Sequence, residues 1–202
     1  MLSPQSTPFL AKFKSSFGTI SPLRWFSNLV TPSWWTDLWL NEGFATYMQY
    51  LAAEDAAPDL KFAEHFQADN VHASMKLDAL ASSHPVSVAI GHPDEIGANF
   101  DAISYRKGAS IVRMLETVVG RETFKAALKT YMGEFAYEAV EMNDLWEVVD
   151  RQARMDKTLE DGVTVKGVMD TWTLQEGFPV VTVKREGTTA TVSQVRVWDW
   201  LY

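Results

Sequence analysis

Apolar positions recur along the chain with two different periods. From Trp25 the sequence turns aromatic: Trp34, Trp35, Leu38 and Trp39, then Phe44, Tyr47, Met48 and Leu51, stand mostly three to five residues apart, the spacing of one helical face. This predicts a well-buried helix starting near Ser33. Pro58, suited to a first turn, opens a second, through Leu60, Phe62, Phe66, Val71, Met75 and Leu77 to about Leu80. Ser82 to Ile90 reads as an extended connection. A third helix is predicted from about Phe100 to Val119, with Ile103, Ile111, Met114, Leu115 and Val118 as its stripe and Gly120 as its stop. Shorter helices at 121–135, at 143–154 with Asn143 as cap, and at 164–176 complete a helical body.

After Gly177 the period drops to two. Val181 and Val183, then Val192, Val195 and Val197, flank a Gly187-Thr188 turn and predict two strands. Two strands cannot bury a sheet face alone, so a β domain is expected to open here and to be cut off at Tyr202. At the other end, residues 1 to about 22 are rich in Ser, Pro and Thr, carry no sustained period, and predict a loose arm. No internal repeat or low-complexity tract is present.

Composition narrows the function classes. At 202 residues, 47% hydrophobic and 22% charged, the chain has an ordinary globular make-up for one domain or one and a part. Its net charge of −8 is spread along the chain, opposite in sign to a surface that tracks nucleic-acid phosphates, so no nucleic-acid partner is expected. Cysteine is absent, which excludes disulfides, thiolate metal sites and a cysteine nucleophile. Any metal must be held by histidine or carboxylate. No window approaches the roughly 18 to 20 apolar residues of a membrane span, and Met1 to Gly18 lack the apolar core of a signal peptide.

Read from the residues alone, candidate chemistry is sparse. His65 and His72 stand seven apart, about 10 Å along a helix, too far for a shared zinc that prefers a one-turn spacing; they read as surface histidines. His84 and His92 each precede a proline and read as loop histidines bonded to backbone or water. Glu42 lies within an aromatic helix, where a carboxylate must be paired, protonated or ligating; a salt bridge or a solvent-facing turn is the plainer alternative. Tyr105 reads equally as core with a satisfied hydroxyl.

Five ordered stretches change that balance: WFSNLVTPSWW (25–35), LWLNEGFATY (38–47), LDALASSHPV (77–86), FDAISYRKGAS (100–110) and MDTWTLQEGFPVVTV (169–183). Over Trp25 to about Val183 the chain resembles the zinc aminopeptidases of the aminopeptidase N, glutamyl and puromycin-sensitive type, which are thermolysin-like gluzincins. The resemblance implies a mainly α fold: the C-terminal helical half of a thermolysin-like catalytic domain, followed by the first strands of a β-sandwich domain. It divides the chain into a divergent, disordered arm at 1–23, the helical part of the peptidase domain at 24–177 and the first strands of a truncated β domain at 178–202. By resemblance Glu42 is the third zinc ligand and Tyr105 the residue that stabilises the developing oxyanion. Peptides are the implied substrates, zinc the implied cofactor, and one amino-terminal residue the implied product.

The chain also departs from that pattern. The family carries H-E-x-x-H with its second histidine eighteen intervening residues ahead of the third ligand. Here that register holds Thr19, Ile20 and Leu23, with Pro22 where a helix must continue. Two imidazoles and the general base are therefore replaced, and no G-A-M-E-N segment precedes them. The expectation is a fragment that does not retain zinc and does not turn over, its residues 1 to about 23 arising from an alternative start, a mis-spliced exon or an incomplete gene model. The alternative is a non-catalytic interaction module that pairs with or competes against a full-length homologue. Family members are cytosolic, secreted or membrane-anchored, so localisation stays open.

Overall fold

The computed structural model describes residues 24–197; the expected arm, with Thr19, Ile20, Pro22 and Leu23, lies outside that range. A helical turn, Arg24–Leu29, leads into the two-residue strand β1, Thr31–Pro32. After a 3-10 turn, Trp35–Asp37, comes the long helix α1, Leu38–Ala56. It starts later than the aromatic spacing predicts. Trp34 is in extended backbone at φ −153, and its indole Nε1 donates to the Ile90 carbonyl at 2.8 Å, so this ring anchors the 81–92 connection instead of the core. Trp34 and Trp35 are 51% and 39% exposed, against the expectation of burial, whereas Trp39, Leu40, Phe44 and Tyr47 are buried as the spacing predicts.

The second apolar run is not one helix. Lys61 takes φ 52 after the turn Pro58–Leu60, a left-handed conformation that a right-handed helix cannot pass through. Helix α2, Phe62–Phe66, then widens through an i→i+5 turn at Gln67–His72 before α3, Ala73–Asp78. A wide turn adds one residue and rotates the next helical segment by about 100°. The inward face passes from Phe62 and Phe66 to Asn70, Ser74 and Asp78, all buried, while Met75 and Leu77 of the predicted stripe are exposed.

One short helix, α4, Pro93–Ile96, lies within the next connection. Helix α5, Gly108–Val119, is again entered through a wide turn, Ile103–Lys107, and ends at Gly120 with φ 85. Its buried stripe is Ile111, Val112, Leu115 and Val119; Val118 is exposed. Helix α6, Arg121–Glu134, the strand β2, Ala139–Val140, and helix α7, Met142–Asp156, come next. The cap of α7 is Glu141, in a reciprocal box with Asp144, and not Asn143. Thr164 caps α8, Val165–Thr173, through a 3.0 Å bond from the Gly167 N–H. Strands β1 and β2 pair in parallel, a bridge too short to leave a period.

Trp39, Phe44, Leu115, Phe124, Leu145 and Trp146 form the centre of the core. At the end of the described chain, β3, Pro179–Glu186, and β4, Thr189–Arg196, make the antiparallel hairpin that the valine alternation predicts, turning at Gly187 with φ 59. Val181, Val183, Val192 and Val195 are exposed. The described chain is mainly α with a small antiparallel sheet at its C-terminal end.

Candidate active site

Helices α1 and α5 cross where each carries a glycine. A Cβ on Gly43 would lie 2.8 Å from the Gly108 carbonyl carbon, and one on Gly108 would lie 3.3 Å from the Gly43 Cα. Only a residue without a side chain permits so close an approach at position 43. The crossing sets Glu42, beside Gly43 on α1, against Tyr105, in the wide turn that feeds α5. Phenol and carboxylate interact. Burial pushes the Glu42 carboxyl above its ordinary value, and the hydrogen bond from Tyr105 partly counters it. Burial, then the Glu42 charge and its hydrogen bond, push Tyr105 up to about 12. The phenol therefore keeps its proton at neutral pH and remains a donor.

Tyr105 also borders a cavity of about 390 Å³, with Thr46, Gln49, Asn70 and Arg106 on its walls. A larger hollow of about 620 Å³, over Glu54, Arg113 and Glu116, includes neither Glu42 nor Tyr105. Size alone does not mark the chemistry here.

The turn that carries Tyr105 is fixed on several sides. Asp101 Oδ1 accepts the N–H groups of Ile103 and Ser104 at 2.9 and 3.0 Å, and its carbonyl accepts that of Tyr105 at 3.1 Å. Ser104 Oγ donates to the Asn99 carbonyl at 2.6 Å, and Asn99 Nδ2 donates to the Trp35 carbonyl at 3.1 Å. Buried Lys107 pairs with buried Asp78 at 2.8 Å and donates to the carbonyls of Gln175 and Gly177 at 3.2 and 3.3 Å. Asp78 Oδ1 accepts from Ser83 Oγ at 2.7 Å and from the Gly177 N–H at 2.9 Å. Burial holds the Lys107 ammonium below its ordinary value, with Asp78 opposing that shift. Three of the recognised stretches, around Asp78, Lys107 and Gly177, are thus joined by one buried ion pair. Asp37, ahead of α1, accepts from Ser87 Oγ at 2.9 Å and from the Met142 N–H at 3.1 Å, fixing the start of α7.

Of the four histidines, none completes a metal site with Glu42. His84 bonds the Pro85 carbonyl and Asp101. His92 Nδ1 accepts from the Asp94 N–H and caps α4. His65 packs by the Phe62 ring, and His72 is exposed. Among the described residues no three His, Asp or Glu side chains converge. Catalytic zinc takes about three protein ligands and one open position; one carboxylate beside a phenol does not fit it. Sequence reasoning singles out Glu42 and Tyr105, and the fold brings them together. It misses Asp78, Asp101 and Lys107, whose signal was charge within the recognised stretches 77–86 and 100–110.

Residues 23–172 match the Peptidase family M1 domain. The chain is 47% identical over 161 residues to Aminopeptidase M1-A of Oryza sativa subsp. japonica, an alignment covering 80% of this chain and 17% of that protein. It is 44% identical over 174 residues to Aminopeptidase N of Homo sapiens, covering 85% and 18% respectively. The chain therefore spans less than a fifth of the length of these curated relatives.

Proposed function

The chain belongs to peptidase family M1, and from that premise we propose that it is part of a zinc metalloaminopeptidase, contributing one metal-binding carboxylate and the oxyanion donor, and inactive by itself. The observation that carries this reading is the meeting of Glu42 and Tyr105 at the Gly43–Gly108 crossing. Glu42 is the third zinc ligand in this reading. Tyr105, protonated up to about pH 12, is a neutral donor for negative charge developing on a peptide carbonyl, the kind of contact that lowers a barrier by a few kcal/mol. The other donors and the base that activates water are supplied by neither the described residues nor Thr19, Ile20 and Leu23.

Residues 24–177 are read as the helical half of a thermolysin-like domain and 178–202 as the opening strands of a β domain. The exposed valines Val181, Val183 and Val192, which share one face of the hairpin, support the latter, being an apolar surface that a second layer would cover. No helix among the described residues is long and apolar enough to cross a membrane. The test is hydrolysis of aminoacyl chromogenic substrates by the purified chain with added zinc. No rate above buffer is expected; a zinc-dependent rate would overturn the inactive assignment.

A second reading is favoured by the exposure of Trp35 and Phe100, at 39% and 45%, whose rings lie 6.0 Å apart, with Trp34 next in sequence at 51%. Exposed aromatic side chains suit a partner: a module that pairs with or competes against a full-length aminopeptidase. Light scattering of the chain mixed with such an enzyme separates the two, a defined complex supporting the module and no complex opposing it.

A further inference from the structure

His84 stands between two groups that can only accept. Its Nδ1 lies 2.7 Å from the Pro85 carbonyl oxygen and its Nε2 lies 2.9 Å from Asp101 Oδ2. A neutral imidazole has one N–H to donate, so both contacts are hydrogen bonds only when the ring carries two protons. Asp101, in turn, uses its other oxygen on the N–H groups of Ile103 and Ser104 and its carbonyl on that of Tyr105. One ring nitrogen grips the 81–92 connection. The other grips the cap of the turn on which Tyr105 rides.

We propose that His84 is a positioning residue for Tyr105: as an imidazolium it ties Asp101, the cap of the Tyr105-bearing turn, to the 81–92 connection, and on losing a proton it gives up one of its two contacts and loosens that tie. The proposal rests on reading Tyr105 as a functional donor, but its test does not. The charges that act on the ring are Asp101, which favours the imidazolium, and Lys107, which opposes it and is itself met by Asp78 at 2.8 Å. The hydrogen bond to Asp101 outweighs burial and holds His84 above its ordinary value. Burial alone would raise Asp101, but bonds from His84 and the Ser104 N–H, with the charge of His84, bring it below its ordinary value.

These directions fix the window. With a raised folded value, the contribution of His84 is complete below the unfolded histidine value of about 6.5 and is lost as pH rises through the folded one. With a lowered folded value, the contribution of Asp101 is present above the unfolded aspartate value of about 3.9 and is lost as pH falls through the folded one. Between those limits both partners are charged. Above them, a neutral ring turns a lone pair toward one of two acceptors under 3 Å away, and either the Pro85 or the Asp101 contact must open.

Asp101→Asn separates charge from architecture. Asparagine retains an oxygen to cap Ile103 and Ser104, and its amide can donate to Nε2 while the single ring proton stays on Nδ1, so a neutral His84 then suffices. The experiment is an NMR pH titration of the nitrogen-15-labelled full chain, following the His84 ring nitrogens and the amides of Ile103, Ser104 and Tyr105. In the wild type the ring midpoint should lie above the ordinary histidine value, and the three amides should shift with that same midpoint. In Asp101→Asn the ring midpoint should fall below the ordinary value and the amide shifts should be lost. A wild-type ring midpoint at or below the ordinary value, amides that stay flat through it, or amides that still titrate in the variant would each overturn the proposal. Should Asp101→Asn fail to fold, the wild-type titration decides alone. Failure of Tyr105 as an oxyanion donor would leave these shifts unchanged, so the two readings fail separately.

Discussion

Adding one methyl group at the helix crossing tests whether the close approach of α1 and α5 makes the Glu42–Tyr105 pair. In Gly43→Ala the new Cβ falls 2.8 Å from the Gly108 carbonyl carbon and 3.1 Å from the Ala109 nitrogen. That is about 0.6 Å short of ordinary contact, and the obstacle is backbone, which cannot rotate away. The two helices must separate. Overpacking of this kind costs about 1–3 kcal/mol, against which alanine returns about 1 kcal/mol of helix propensity, leaving a net loss of up to about 2 kcal/mol. For a chain of this size that is a fall in Tm of up to roughly 8 °C. Gly108→Ala is the control: its Cβ meets the Gly43 Cα at 3.3 Å and the Trp39 Cβ at 3.5 Å, a clearance that tenths of an ångström restore, so its Tm should change by only about 1–2 °C. Calorimetry gives both values. Alkaline ultraviolet titration, differenced against Tyr105→Phe, reads the pair itself: the Tyr105 midpoint should move from about 12 back toward 10 in Gly43→Ala. A Gly43→Ala chain as stable as wild type, with Tyr105 unmoved, would show that the crossing does not make the pair.

Two further perturbations act on the same contacts. Asp78→Ala strands a buried Lys107 ammonium and strips acceptors from Ser83 and the Gly177 N–H; breaking a buried pair on one side costs about 3–5 kcal/mol, which urea denaturation should show as a large fall in midpoint at constant slope. Glu42→Gln should stabilise the chain. Because the folded carboxyl binds its proton more tightly than the unfolded one, the ionised form counts against folding once pH rises past the ordinary value of 4.5; the gain in Tm should therefore be larger at pH 8 than at pH 4, and equal gains at both would contradict the burial argument.

The helical class and the final hairpin are legible because Trp39, Phe44 and Tyr47 keep one period and Val181 with Val183, and Val195 with Val197, keep the other. What is illegible has a common cause. The wide turns at Gln67–His72 and Ile103–Lys107 shift the phase of the helices they enter, so Asn70, Ser74 and Asp78 point inward while Met75 and Leu77 of the predicted stripe are exposed. Trp34 and Trp35 mislead differently: their apolar character suggests core, yet one indole serves a loop carbonyl. The candidate pair sits between these extremes. Glu42 and Tyr105 stand out only through resemblance, and nothing in the periodicity says that they meet. Gly43 and Gly108, one residue and three residues from them, are the local trace of the crossing that joins them.

The inactive assignment depends on Glu42, without imidazole partners, being unable to hold a hydrolytic metal. Metal analysis by mass spectrometry of the chain, expressed with zinc and passed through gel filtration, puts that dependence to trial. Far less than one equivalent of zinc is expected, unchanged by Glu42→Ala. About one equivalent, retained through filtration and lost in Glu42→Ala, would contradict it.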